Sequence, residues 1–212
     1  MTFISIISQF LYYRTIPEHE DIKKKLIPKI LEQEEEFKNN NIGLENAYTN
    51  FSREGHWHEH SSFLVEPSIL KPIVTQTIDE VINHIITNNI LPIPPYKKYF
   101  VGPCWYTRYS TGGNFDYHGH GHQQTIIDGQ VAHTAFSIIY ILSDENEKNT
   151  TLFRTHDRNY LSISNDIGID TADLTEIKEG TVIIFPSNFL HKVNPVKIPN
   201  RITVSYNMFG VL

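Results

Sequence analysis

Two short strings in this chain carry the residue types that hold metals. The first runs Tyr109-Ser110-Thr111-Gly112-Gly113-Asn114-Phe115-Asp116-Tyr117-His118-Gly119-His120. Gly112 and Gly113 make a turn, a short strand follows, and two histidines stand at i and i+2. Such positions share one face of a strand, so His118 and His120 can offer imidazole nitrogens to one ion, at roughly 2.1 Å for a first-row metal. His122 extends the alternation. A solvated Gly/His loop is the plainer reading, but packing alone seldom alternates histidine with glycine.

The second string opens at Glu179-Gly180. Val182 to Phe185 are apolar on consecutive positions, which marks a central strand buried on both faces. Pro186 ends it, and Asn188 suits the tight turn that delivers His191 to the next strand. Arg201 lies ten residues on, after a Pro199-Asn200 turn, and begins a strand in which Ile202, Thr203, Val204 and Ser205 alternate. A hairpin of that length returns Arg201 toward His191. A guanidinium inside a barrel is costly unless it meets an anion, and its planar fork matches a carboxylate. Thr203, on the same face, adds a hydroxyl.

Histidine is plentiful: six of the 11 fall in two tight clusters. The other cluster is His56-Trp57-His58-Glu59-His60. It reads as a solvated loop, as a substrate-side element with His58 at the mouth, or as a second metal site. His84, His133 and His156 carry no pattern of their own.

These residues need elements to position them. Phe3 to Tyr13 reads as a strand. Acids at residues 18–21 and a helical period through Ile22, Leu26 and Ile30 predict a helix ending at 39–43, bent or split by Pro28. A second helix is expected from Pro67 or Ser68 to Asn88, with Ile69, Ile73, Thr77, Val81 and Ile85 at spacings of four. From Tyr99 the texture is β: Phe100-Val101, Trp105–Tyr109, Ala135–Leu142, Thr151–Phe153, Thr181–Phe185 and Ile202–Phe209. Residues 123–133 and 155–178 read as long loops. The fold class this implies is α+β, a single domain over 1–212, with a strand and supporting helices in 1–97. Residues 98–212 form a double-sheet jelly roll, and the helices pack on one of its sheets.

The 212 residues, 40% hydrophobic and 20% charged, are ordinary globular composition. A net charge of −6 argues against extensive nucleic-acid contact. Lys23 to Lys25 read as a solvated helix face. The single cysteine, Cys104, permits no intrachain disulfide. No signal peptide or membrane-spanning run is legible, so the expectation is a soluble, cytoplasmic protein.

Together the two strings resemble the 2-oxoglutarate/iron(II) dioxygenase superfamily, above all its small prolyl-hydroxylase-like and phage- or virus-encoded members. That family's pattern is matched by Tyr109, Gly112, His118 and position 120, then Tyr140-Ile141-Leu142. It continues with Gly180, Phe185-Pro186-Ser187, His191 and Arg201. The resemblance spans about 100 residues, roughly 105 to 209; residues 1–95 lie outside it. It implies a double-stranded β-helix core, iron(II) and 2-oxoglutarate as cofactors, and hydroxylation of a peptide side chain or small amino-acid-like substrate with release of succinate and CO2. It implies His118 and His191 on the metal and Arg201 on the distal carboxylate, assisted by Thr203, Tyr109 or Tyr140. Trp105 and Tyr117 become candidate pocket walls.

The departure is at position 120, where the family carries an acid and this chain His120. Three ligand sets stay open: His118, His120 and His191; a carboxylate from Asp116 or Asp128; or fewer ligands with a further open position. Two rival functions follow. A three-histidine cupin-type dioxygenase needs no 2-oxoglutarate and accounts for His120, but gives Arg201 no role. A degenerate jelly roll serving as a non-catalytic binding module accounts for the lost acid.

Overall fold

The computed structural model describes residues 10–39, 47–49, 67–88, 96–121, 124–146, 150–154, 168–169 and 177–211. Among these residues, eleven strands and two helices follow in chain order. The helices are α1 (His19–Asn39) and α2 (Pro67–Asn88). The strands are β1 (Tyr12–Thr15), β2 (Ala47–Thr49), β3 (Lys98–Tyr109), β4 (Phe115–His118), β5 (Gln124–Ile127), β6 (Gln130–Ser143), β7 (Thr151–Arg154), β8 (Gly168–Ile169), β9 (Thr181–Pro186), β10 (Leu190–Val193) and β11 (Arg201–Val211).

Both helices are amphipathic, and that dictates where they lie. α1 opens with Glu20 and Asp21 against its positive end and buries Ile22, Leu26 and Ile30 along one stripe. Pro28 stands on its exposed side, and the helix runs on through it without the expected split. α2 buries Leu70, Val74, Ile78, Val81 and Ile85. Both stripes pack on one face of a seven-stranded sheet of order β1-β9-β6-β11-β3-β2, with β5 hydrogen-bonded to β6. That face presents Cys104 and Tyr106 from β3, Ile138, Tyr140 and Leu142 from β6, Val182 and Ile184 from β9, and Ile202, Val204, Tyr206 and Met208 from β11.

The sheet's other face looks toward a four-stranded sheet of order β4-β10-β7-β8. Ile139, Ile141, Ile183 and Phe185 meet Phe153 and Phe189 between the two. Helices, large sheet and small sheet thus make three layers, the α+β jelly-roll arrangement expected from the order of elements. Among the described residues no helix is long and apolar enough to cross a membrane.

Three sequence expectations change. Phe100-Val101 and Trp105–Tyr109 belong to one strand, β3, which runs through Gly102 and Pro103. Of the strand expected over 3–13, residues 1–9 lie outside the described residues, and β1 covers Tyr12–Thr15 against β9. The stretch 123–133 is mostly a hairpin rather than a loop, with Ile127 opposite Gln130. Its turn is Asp128-Gly129, with φ of 52° and 74°. Two positive φ angles are what a two-residue turn needs to match strand twist, and Asp-Gly adopts them readily. Most of 155–178 lies outside the described residues; within it, Gly168–Ile169 form β8 beside β7.

Candidate metal centre

Between the sheets lies a cavity of about 480 Å³, and most of the residues singled out in the two strings line it. β4 and β10 pair so that His191 stands directly opposite His118, and their rings lie 4.2 Å apart between centroids. His120 follows the end of β4. Its backbone N–H bonds the Ser187 carbonyl, and its ring lies 5.4 Å from His118 and 5.3 Å from His191. One nitrogen from each of the three rings falls within 4.8 Å of the others.

The outer nitrogen of each ring is engaged. His118 Nδ1 donates to the Asp116 carbonyl at 2.8 Å, His191 Nδ1 to the Phe189 carbonyl at 3.2 Å, and His120 Nδ1 to Asn207 Oδ1 at 2.8 Å. A carbonyl oxygen only accepts, so each Nδ1 is the donor, and in a neutral ring Nε2 then keeps its lone pair. Burial pushes the His120 imidazolium pKa down to about 4. Burial, reinforced by the charges His118 and His120 would carry, holds His191 well below the usual range. His120 and His191 are therefore neutral near pH 7, the state that ligates metal.

Arg201 begins β11 opposite Tyr109 of β3 and is fully buried, at 0% exposure. Nε donates to Asp144 Oδ2 at 2.9 Å and Nη2 to Thr151 Oγ1 at 2.7 Å. Among the described residues, Nη1 has no hydrogen-bond partner. The Tyr109 ring lies 5.2 Å from the guanidinium carbon. Its hydroxyl pKa is raised by burial, against the opposing pull of Arg201 and the hydroxyls of Thr203 and Thr107. Asp144 is itself positioned: Asn146 N–H and Nδ2 donate to its Oδ1, and its own N–H donates to Glu179 Oε2.

Placement of the predicted residues is uneven. His118, His120, His191, Arg201, Thr203, Tyr109, Trp105, Tyr117 and Asp116 all border the cavity. Tyr117 also lies under the Arg154 guanidinium and the Lys192 ammonium, at 4.6 and 4.8 Å. Tyr140 does not border it. β6 turns that side chain to the helix layer, where its hydroxyl meets His19 Nδ1 at 2.6 Å. Asp128 sits exposed at the hairpin turn, and Asp116 accepts the Tyr117 N–H; neither carboxylate joins the imidazole cluster. His58 lies outside the described residues.

Sequence reading missed Asp144, Thr151, Ser137 and Asn207. For Asn207 a signal existed: every second residue from Arg201 is polar, through Thr203 and Ser205 to Asn207. Asp144, just after β6, and Thr151, at the start of β7, carried no signal.

A second group of possible ligands, His19, Glu20 and Glu179, lies on the helix side. There the Lys23 ammonium contacts the Glu179 carboxylate, so a cation already occupies it. The group pins α1 to the start of β9.

The fold is shared with a solved enzyme. The viral collagen prolyl hydroxylase of Paramecium Bursaria Chlorella virus-1, solved as a 2OG complex, is 16% identical. The match covers 95% of this chain and 97% of that one, with a TM-score of 0.51. A truncated form of that enzyme gives the same identity and TM-score over 95% and 90% of the two chains. A Pseudomonas putida prolyl-4-hydroxylase is 11% identical over 96% and 92%, with a TM-score of 0.48. No protein-family model and no curated protein matches the chain. At 16% identity the likeness to the viral enzyme carries the architecture alone: the core is a double-stranded β-helix.

Proposed function

We propose that this protein is an iron(II)- and 2-oxoglutarate-dependent oxygenase that hydroxylates a peptide side chain or a small amino-acid-like substrate. One observation carries the reading. A fully buried guanidinium whose Nη1 has no partner among the described residues borders the same cavity as three converging imidazoles. A buried donor left unpaired costs about 1–3 kcal/mol, and a carboxylate seated on Arg201 removes that cost.

The donor set suits the metal. Imidazole nitrogens take first-row divalent ions, iron(II) among them. His118, His120 and His191 hold it, and the Nδ1 contacts fix which nitrogen each ring presents. Iron(II) with 2-oxoglutarate supplies the oxidising chemistry, releasing succinate and CO2. The chain's own residues bind, orient and exclude water. Arg201 and Thr203 take the distal carboxylate, and Tyr109 walls that end. Phe185 and Phe153 pack on His191 at 4.8 and 5.9 Å and keep its surroundings dry. Trp105, 5.7 Å from His120, forms a wall for the substrate.

Succinate release from 2-oxoglutarate by the purified protein with iron(II) tests this directly. Arg201→Ala is expected to raise the cosubstrate concentration needed by at least tenfold. Iron binding with no 2-oxoglutarate binding or turnover sinks the reading. It would favour a three-histidine cupin-type dioxygenase, for which His120 in the acid's place is the supporting observation. Failure to bind metal at micromolar levels would leave a non-catalytic binding module.

A further inference from the structure

Asn207 is the residue on β11 that meets the ring of His120. β11 and β3 keep register from Arg201↔Tyr109 to Tyr206↔Cys104 and resume at Met208↔Val101. One residue of β11 thus faces two of β3 at Asn207, a β-bulge. Bulges re-aim side chains and occur beside active sites. On β3 the bulge faces Gly102, where a built Cβ would lie 2.8 Å from the Asn207 carbonyl oxygen and 2.5 Å from the Phe209 ring. Only glycine allows so close an approach.

Strand alternation from Arg201 through Thr203 and Ser205 places the Asn207 amide, 3% exposed, in the cavity wall, and the bulge on β3 leaves room for its backbone. Its Oδ1 accepts His120 Nδ1–H at 2.8 Å and the Ser137 hydroxyl at 3.2 Å. Ser137 in turn reaches Ser187 Oγ at 3.3 Å, the residue whose carbonyl holds the His120 backbone. Ring and backbone of His120 are therefore gripped by one network drawn from β6, β11 and the turn after β9. His118 and His191 lean only on nearby carbonyls of their own segments.

We infer that Asn207 is a positioning residue that fixes the tautomer and direction of the His120 ring, so that position 120 supplies a neutral nitrogen ligand where a carboxylate would otherwise stand. This rests on the metal-centre reading above and deepens it: loss of the acid is compensated from the far strand, rather than a relic of decay. Outer hydrogen-bond partners of ligating histidines typically govern metal affinity by about ten- to a hundredfold.

Cobalt(II) titration of the full chain, read by its visible d–d absorption without turnover, is the test. Asn207→Leu, which keeps volume but accepts no hydrogen bond, is expected to weaken cobalt(II) binding about ten- to a hundredfold and to shift the band. Asn207→Asp, a stronger acceptor, is expected to bind more tightly than wild type, also with a shifted band. In a His120→Ala background, Asn207→Leu is expected to add nothing, since its route is gone. A folded Asn207→Leu protein with wild-type affinity and spectrum overturns the inference. So does an equal loss in both backgrounds. Should Asn207→Leu not fold, Asn207→Asp decides: unchanged affinity and spectrum overturn it. Wild-type protein that takes up no cobalt(II) overturns the metal reading itself, whereas normal uptake with silent Asn207 variants removes only this inference.

Discussion

β11 is buried along both faces, and the two faces are built from opposite chemistry. Toward the helices it presents Ile202, Val204, Tyr206 and Met208. Toward the small sheet it presents Arg201, Thr203, Ser205 and Asn207, all under 10% exposed. The apolar face needs only area and shape, since each buried aliphatic side chain contributes roughly 1.5–3 kcal/mol. The polar face must be satisfied atom by atom, and its neighbours Asp144, Thr151, Ser137 and His120 do that, Arg201 Nη1 excepted. A strand can thus be ordinary core on one side and a binding surface on the other. The two sides should fail differently when altered.

The sharpest break of this contrast is His191→Ala. Metal affinity is expected to fall by at least the roughly hundredfold seen when supporting residues alone are lost, while the melting temperature of metal-free protein changes little. Equilibrium dialysis and a thermal melt check both arms. Asp144→Ala crosses the divide. It strands a guanidinium of 0% exposure beside a 5% exposed partner position, and breaking such a pair costs about 3–5 kcal/mol. Chemical denaturation should show that loss along with weakened 2-oxoglutarate binding; an unaltered midpoint would mean the pair is not buried as described.

On the apolar side, Ile184→Ala is expected to cost about 2–4 kcal/mol with metal affinity unchanged. A change in metal binding would show that the faces are not separable. The smallest effect is one of pH. His120 is held near pKa 4 in the fold against an ordinary 6.5, so between those values the unfolded chain binds more protons. Stability of metal-free protein is therefore complete above pH 6.5 and lost as pH falls toward 4, by about 1 kcal/mol per pH unit at the steepest. Denaturation midpoints of wild type and His120→Gln across this window check it, the variant giving the flatter profile.

Much of the site was legible because its chemistry is periodic. His118, His120, His191 and Arg201 stand out by residue type, and strand alternation puts Thr203 on the Arg201 face. Composition likewise separates a helical first half from a β-rich second. What escaped was whatever depends on pairing between distant segments. Tyr140 sits in a Tyr-Ile-Leu strand, and which face it takes depends on β6 register, which residue order alone leaves undecided. The hairpin at Asp128-Gly129 had its turn pair in view between Ile126-Ile127 and Val131-Ala132, but the glutamines at 123, 124 and 130 gave the stretch the texture of a loop. Asp144 is an ordinary acid after a strand until β11 brings Arg201 beside it. The bulge at Asn207 exists only in the register between β3 and β11.

The position of β11 bears on how the protein comes into being. It lies between β6 and β3, partners that precede their paired residues by about 60 to 110 positions, so contacts of long sequence separation dominate and folding should be slow. A nascent chain halted before residue 201 leaves β3 and β6 as unmatched edges with no intervening strand to join them. Ligand-holding geometry and cooperative assembly would then arise in the same event, the insertion of β11 between β6 and β3.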